Sequence, residues 1–555
     1  MNIKKNDICR ISITDIDTAG AGIGRLEDGL VLFVKDTVPG DEAFIRITKL
    51  KKTYGYARLE ELITPSPYRV TPKCPAARQC GGCQLQHLAY GKQLEYKEHK
   101  VRELLTRVGG AQDFEMLPVI GMEDPWYYRN KAQFPVGLGR DGKPKIGFYA
   151  ARTHVIVDSP VCPIQCKESG KVRETVRQWL EEKIEKDPEA GRELIYDESA
   201  GTGLLRHVLV RTGAATGEIM VCLVVNGKKL PDSEGLVSRL REIPGMTSVM
   251  LNINRGSTNV IMGSETRLLW GKDYICDRIE DIEYRISAAS FYQVNPAQTA
   301  KLYRTALEMA DPGEDETVWD LYCGTGTITL FASKRAASVM GVEVVPEAVE
   351  NARQNAELSG ISNVRFLLGK AEDVVPAEHR QHGISADIII VDPPRKGCDR
   401  ALIDCMVKVA PKKIVYVSCD PATLARDVKL LREGGYRLVK AQPVDMFPQT
   451  VGIETVCLLS KLSEAKHHIS VQVDMDELDL TAAESKATYE EIQEWVKEKY
   501  GFHVSHLNIA KTKHKCGIIE RQNYNLPKSE NSRSPETPKE KEEAIIEAFR
   551  HFQMI

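Results

Sequence analysis

The sequence predicts a multidomain α/β chain. An OB-like β-barrel is expected over residues 1–64, a mixed central domain over 65–280, a doubly wound α/β domain over 281–462 and an α+β tail over 463–555. Three observations carry this expectation. Strand-like and helical runs alternate from about residue 281, and a glycine turn, Asp320-Leu-Tyr-Cys-Gly-Thr-Gly326, opens a helix after a strand. Short runs separated by turn residues fill the first 64 positions. The charge balance then changes: residues from Ser463 onward hold 13 basic and 17 acidic side chains, whereas the first 462 hold 62 and 61.

A chain of 555 residues can bury several cores, and a net charge of −3 gives no global attraction to a polyanion. Contact with nucleic acid must therefore use local patches. No apolar run follows the opening Met-Asn-Ile-Lys-Lys, and none approaches a membrane span, so a cytoplasmic location with no membrane partner is expected. In that compartment the 14 cysteines read as ligands, nucleophiles or core residues rather than disulfides.

The barrel is predicted from Ile8–Ile13, Val31–Val34, Glu42–Ile47 and Tyr56–Glu61, separated by glycine-rich turns and by Pro39-Gly40-Asp41. Lys49, Lys51, Lys52, Tyr54 and Tyr56 interleave bases with aromatics, as nucleic-acid-binding barrels do. Pro65–Pro75 reads as a linker into Cys74-x5-Cys80-Gly-Gly-Cys83, three thiols in ten residues. With Cys162 or Cys166 as a fourth ligand, such a set suits zinc or an iron–sulfur cluster. A helix is expected over Gln93–Val108 with a Gly109-Gly110 stop. Strands are expected at Lys131–Val136, His154–Val157, His207–Thr212, Ile219–Val225 and Ser248–Asn252. Arg129, Lys131, Arg206 and His207 in this region are candidate phosphate contacts.

In the doubly wound domain the strand at Val318 ends in the glycine turn, and the next, Val339–Val342, ends in Glu343, placed to accept the hydroxyls of a ribose. Thr329 stands where a dinucleotide fingerprint has its third glycine. The combination resembles the S-adenosylmethionine site of class I methyltransferases. Asp392-Pro-Pro-Arg395 follows the strand Ile388–Val391 as a stiff extended lip able to hold a flat base. Ile414–Val417 is a buried strand running into Ser418-Cys419-Asp420-Pro421, with Asp420 as helix cap and Pro421 at the first helical position. Cys419 is thus expected at the top of the sheet, its thiolate favoured by the helix terminus.

A thiolate, a methyl donor and a base in one pocket match one reaction in particular. Uracil C5 becomes nucleophilic only after a thiolate adds at C6; once C5 is methylated, a base must remove its proton. Glu454, in Gln449-Thr-Val-Gly-Ile-Glu454, is placed to be that base.

These residues resemble the RNA uracil-C5 methyltransferases with an N-terminal TRAM barrel, specifically the 23S rRNA (uracil-5-)-methyltransferase type. The resemblance spans roughly residues 5–462. It rests on Gly20-Ala-Gly-Ile-Gly-Arg25, the cysteine set, Phe291-Tyr-Gln293-Val-Asn295, Asp320–Gly326, Asp392–Arg395, Ser418–Pro421 and Asp445-Met-Phe-Pro-Gln-Thr450. It implies a 4Fe–4S cluster on Cys74, Cys80, Cys83 and Cys162. It also implies S-adenosylmethionine held by Gln293, Tyr322, Glu343 and Asp392, with Cys419 as nucleophile and Glu454 as base. The implied partner is 23S rRNA. The alternatives are the T-loop uridine of tRNA and, in another class, a non-catalytic iron–sulfur RNA-binding or sensor protein. Many relatives carry histidine two residues before the glutamate; here that position is Gly452.

The tail falls outside this resemblance. Glu490–Lys499 reads as an amphipathic helix, and Asn523–Glu543 as a flexible connector. Lys511, Lys513, His514 and Lys515 form a basic patch suited to contact with RNA or a protein partner.

Overall fold

The computed structural model describes residues 3–382, 385–462, 489–516 and 537–552. The chain divides into two compact units, Met1–Ser463 and Glu464–Ile555.

The first unit begins with strands β1 (Ile8–Ile16), β2 (Gly22–Arg25), β3 (Val31–Lys35), β4 (Glu42–Leu50) and β5 (Tyr54–Thr64). They close into a barrel in the order β1-β2-β3-β5-β4. Alternation with period two sends Ile11, Ile13, Leu32, Val34, Ile45 and Ile47 inward as one core. The sequence reading missed β2, whose glycines hide the strand signal. Asp41 shows what the Pro39-Gly40-Asp41 turn does besides turning. Fully buried, it accepts hydrogen bonds from the amides of Val38 and Ser66 and from the Arg69 guanidinium at 3.0 and 2.5 Å. Those bonds, Arg69's first among them, outweigh burial and hold its carboxyl below the usual range. Asp41→Ala should leave Arg69 and two amides unsatisfied and cost about 3–5 kcal/mol. Limited proteolysis should then cut the 65–75 linker earlier than in the parent protein. An unchanged cleavage rate would show that the pair does not tie the barrel down.

Helix α1 (Tyr90–Arg107) packs its buried face, including Val101 and Leu105, against the doubly wound domain rather than the central sheet. The six-stranded central sheet runs in the order Glu265–Gly271, Met246–Ile253, Ile219–Val225, Leu205–Thr212, Lys131–Leu138, Pro144–Ile146. The helix Lys167–Lys186 covers it through Val172, Val176, Trp179 and Leu180. The expected strand His154–Val157 shrinks to Ile156–Val157, paired only with Phe148–Tyr149. A hairpin of Tyr274–Ile279 and Ile282–Ser287 straddles residue 280, and both its strands join the core that also contains Leu302 and Val318.

The doubly wound sheet has eight strands. Their order is Val364–Leu368, Ser338–Glu343, Thr317–Leu321, Ile388–Val391, Lys413–Ser418, Glu454–Lys461, Tyr436–Val444, Glu115–Met116. Neighbours are parallel except Glu454–Lys461, which is antiparallel to both Lys413–Ser418 and Tyr436–Val444. Strand order reverses around Thr317–Leu321, which opens the crevice where such sheets bind ligands.

In the second unit the helices Tyr489–Tyr500, His506–Lys515 and Lys539–His551 share a core of Ile492, Val496, Val504, Ile509, Ile545 and Phe549. The described tail residues form helices because their apolar positions recur at helical spacing; of the expected α+β tail, residues 463–488 and 517–536 lie outside the described residues. Of the expected connector, residues 523–536 lie outside the described residues, and its end is corrected to helix from Lys539, where Ile545 and Phe549 supply a buried face. Among the described residues no helix is long and apolar enough to cross a membrane.

Candidate active site and cysteine cradle

The C-terminal edge of the large sheet gathers the predicted site. Strand Lys413–Ser418 ends with Ser418 paired to Thr455, so Cys419 and Glu454, the next residue on each chain, meet at the same edge. Val391, paired with Tyr416 on one side and Leu321 on the other, delivers Asp392 between them. The cap forms as the sequence predicts: the Asp420 carboxylate accepts from the amides of Ala422 and Thr423, and Pro421 begins the helix Pro421–Glu433.

The electrostatics of this edge correct one expectation. Burial pushes the Cys419 thiol up to about 11, and the carboxylates of Glu454 and Asp392 add to it, while Arg395 pulls the other way. The helix terminus does not by itself yield a thiolate, because burial and two neighbouring carboxylates outweigh it. Burial and Asp392 also push Glu454 well above the usual carboxylate range, with Arg395 opposing. Asp392 is raised to about 7 by burial and by Asp320. In the free protein, alkylation of Cys419, followed by mass spectrometry of its peptide, should rise with pH through a midpoint near 11. Glu454→Gln removes an anion beside the thiol, so its midpoint should fall; an unmoved midpoint would show that the two groups do not interact.

The cofactor crevice has the expected parts. Tyr322, Gly324 and Gly326 all have positive φ in the turn after Thr317–Leu321. A Cβ added at Gly324 would meet nothing within 4 Å, so the backbone there faces open space. Glu343, at the end of its strand, accepts from the amides of Gly324, Val344 and Val345. Gln293 is buried and held by Asn130, whose side chain donates to its carbonyl oxygen at 3.1 Å. The sequence reading missed the purpose of Thr329: its hydroxyl donates at 2.6 Å to Asp320, a fully buried carboxylate raised to about 7 by burial. At Gly452 a Cβ would stand 3.1 Å from the Phe447 ring, so a histidine there would require that ring to move. These residues fit S-adenosylmethionine: an open glycine turn, a carboxylate at the end of the next strand bonded to that turn, and two acidic groups beside Cys419.

Cys74, Cys80, Cys83 and Cys162 come together in space. Burial pushes Cys83 up to about 12, and the other three thiols add to the shift. Burial likewise lifts Cys162 to about 11, helped by Cys74 and Cys80. Cys166 is not part of this group; its sulfur lies 3.6 Å from the Thr212 hydroxyl. Among the described residues, no three His, Cys, Asp or Glu side chains are grouped so as to hold a metal ion. Gly81 seats the loop: its amide donates to the Tyr149 carbonyl, and a Cβ would lie 3.0 Å from the Ala151 backbone.

A groove of about 930 Å³ runs between the barrel and this loop, lined by Phe33, Lys35, Lys49, Tyr56, Arg78 and Arg152 among others. Phe33, Tyr54 and Tyr56 form an aromatic cluster with ring centroids 5.7–5.9 Å apart. Lys51 and Lys52 are exposed in the adjoining turn. Of the four candidate phosphate contacts, two are occupied or neutral. Arg206 is buried, donates to the carbonyls of Asn254 and Gly256 and stacks on Tyr196, while His207 is driven down to about 4 by burial and Arg206. The Arg129 and Lys131 side chains make no hydrogen bond or ion pair among the described residues, and Lys131 pairs across the sheet with buried Arg211. Burial, Arg211 and Arg129 push Lys131 down to about 7. In the tail, Lys513 is buried with its ammonium 4.3 Å from the centre of the Tyr489 ring, and Lys515 pairs with Glu542, so the expected basic patch is partly turned inward.

The strand order, the glycine turn and the acidic crevice define a class I S-adenosylmethionine-dependent methyltransferase that carries a nucleic-acid-binding barrel. Residues 216–462 match the tRNA (uracil-5-)-methyltransferase family, and residues 4–59 match the TRAM domain. A relative from Clostridium tetani named as an uncharacterized RNA methyltransferase is 46% identical over 465 residues, 84% of this chain and 98% of its own. Another, from Halalkalibacterium halodurans, is 48% identical over 82% of this chain and 98% of its own. The crystal structure of Pyrococcus abyssi tRNA (uracil-54, C5)-methyltransferase with S-adenosyl-L-homocysteine superposes with a TM-score of 0.62. It is 30% identical and covers 81% of this chain and all of its own. The chain belongs to the RNA uracil-5-methyltransferases with an N-terminal TRAM domain.

Proposed function

We propose that the protein methylates C5 of a uridine in 23S rRNA through a covalent bond between Cys419 and C6. The observation that carries this reading is the meeting of Cys419, Glu454 and Asp392 at one sheet edge, each shifting another's ionisation. The Cys419 thiol first loses its proton to solvent; the thiolate then adds to C6, and the electrons of the C5–C6 double bond move toward C4 and its oxygen, leaving C5 nucleophilic. S-adenosylmethionine, held by Gln293, Tyr322, Glu343 and Asp392, supplies the methyl group when bound. Glu454 then takes the proton from C5, the double bond re-forms, and the sulfur leaves C6 as thiolate. The target must leave its stack to reach Cys419, at a cost of a few kcal/mol. The aromatic and basic groove, with Arg129 and Lys131, supplies groups that grip RNA while this happens.

The cradle of Cys74, Cys80, Cys83 and Cys162 is proposed to hold a 4Fe–4S cluster with a structural or RNA-positioning role, since the methyl transfer moves no net electrons. Raised thiol pKa values mean that loading releases protons. Protein purified without air should show an iron–sulfur absorption band that Cys80→Ser removes; a colourless parent protein containing zinc would overturn the assignment.

Ribosomal RNA is favoured by the joint resemblance of the barrel and cysteine set. The T-loop uridine of tRNA is the second reading, favoured by the solved tRNA (uracil-54, C5)-methyltransferase. Incubation with labelled S-adenosylmethionine and unmodified 23S rRNA or tRNA separates them. Label in 23S rRNA alone is expected, and label in tRNA alone would transfer the proposal to the second reading.

A further inference from the structure

Glu454 has an unusual difficulty for a base. It is buried, and its Oε2 atom has no hydrogen-bond partner, so no neighbouring donor fixes that oxygen. Its place depends on the backbone that delivers it, the connection 445–453 between strands Tyr436–Val444 and Glu454–Lys461. Val444 pairs with Glu454, so any slack in that connection acts at the base itself.

The connection is gripped most strongly at Asp445, through a network that the proposed chemistry leaves unexplained. Asp445 and Lys97 are both fully buried, and their side chains meet at 2.6 Å. The same ammonium donates to the Phe447 carbonyl at 3.1 Å. The Tyr90 hydroxyl donates to the second carboxylate oxygen at 2.9 Å and accepts the Met122 amide. One turn from Lys97, the Gln93 side chain closes a two-way bond with Gln449, at 3.0 Å to its side chain and 3.1 Å from its amide. Gln449 holds a φ of +71°, a conformation that a non-glycine residue keeps only when its surroundings fix it. Tyr90, Gln93 and Lys97 all lie on α1, on the face buried against the doubly wound domain. An ion pair with no exposure gains little net stability over apolar residues of the same size, so stability alone does not account for it. It does fix one geometry, because any other position of the connection would leave a buried charge unpaired.

We propose that Lys97 is a positioning residue for this reaction: through Asp445 it locks the 445–453 connection so that Glu454 faces C5 of the methylated intermediate. This rests on the covalent reading above. The effect should fall on the second half of the reaction. Addition of Cys419 and methyl transfer do not need Glu454 in place, whereas removal of the C5 proton does.

The test is a rapid-quench time course with labelled S-adenosylmethionine and an RNA that the parent protein methylates. It follows the methylated protein–RNA adduct separately from released methylated RNA. Lys97→Met leaves Asp445 buried without its cation and risks misfolding. Lys97→Met/Asp445→Asn therefore removes both charges together, and Tyr90→Phe removes the bond to Asp445 and the one from the Met122 amide while keeping the packing. The double variant is expected to form adduct at nearly the parent rate but release product more than about 10-fold more slowly, the scale on which misplaced general bases lose rate. Tyr90→Phe should show the same pattern at a few-fold. Equal slowing of both phases would indicate a merely structural role and overturn the proposal, as would parental release from a folded variant. If the double variant does not fold, Tyr90→Phe decides alone. If the parent protein forms no adduct, the covalent reading fails and takes this inference with it.

Discussion

Cys419→Ala is expected to abolish methylation, lowering kcat by about 10⁴-fold or more, as loss of an enzyme's nucleophile does. The reason is chemical: without addition at C6 no electron density reaches C5, and no other group in the pocket can substitute. Cys323 is buried behind the glycine turn and pushed well above its usual range, and Cys398 is buried and bracketed by Asp427 and Tyr416. Binding of RNA and S-adenosylmethionine should survive, because the side chain removed is small and partly exposed and Asp420 still caps the helix. A filter-binding assay beside a tritium-transfer assay makes the check: retained affinity with no transfer is expected. Turnover within tenfold of the parent would eliminate the covalent scheme.

Glu454→Gln is expected to have the second-largest effect and a different signature. Glutamine cannot accept the C5 proton, so the reaction should stop after methyl transfer, and a methylated protein–RNA complex should accumulate that survives denaturing gels. Release should slow by about 10²- to 10⁴-fold, the usual share of a general base. The pH dependence has a definite sign. Burial and Asp392 raise Glu454, so in the unliganded site it holds a proton where a free glutamate would not. Product release in the parent protein should therefore climb as pH rises through that elevated value, and the limb should vanish in Glu454→Gln. Rapid release by the variant at every pH would exclude Glu454 as the base.

Much of this site was legible in the sequence because its residues sit at strand ends, where local rules hold. The Asp420 cap, the proline at the next position and the Asp392-Pro-Pro corner are each set by neighbours in sequence, and the structure reproduces them. What the sequence could not reveal depends on distant residues. Lys97 looks like any surface lysine on an amphipathic helix; only the fold brings Asp445, 348 positions away, against it. Thr329 reads as a defect in a glycine fingerprint until the fold shows it bonded to Asp320. The raised thiol of Cys419 was missed for a related reason: the helix terminus is local, whereas Glu454 and Asp392 reach the cysteine from other strands. The barrel's second strand escaped because glycines at 22 and 24 carry no side-chain pattern. Lys513 was misjudged because a charge run gives no sign of which member turns inward onto a tyrosine.

The central claim, that Cys419 bonds to uracil C6 during methyl transfer, is tested most directly with RNA containing 5-fluorouridine. Fluorine replaces the proton that Glu454 must remove, so the intermediate cannot collapse. After incubation with S-adenosylmethionine, digestion and mass spectrometry should find the Cys419 peptide carrying a methylated fluorouridine nucleotide. An adduct on any other cysteine, or its absence while ordinary uridine in the same RNA is methylated, would contradict the account.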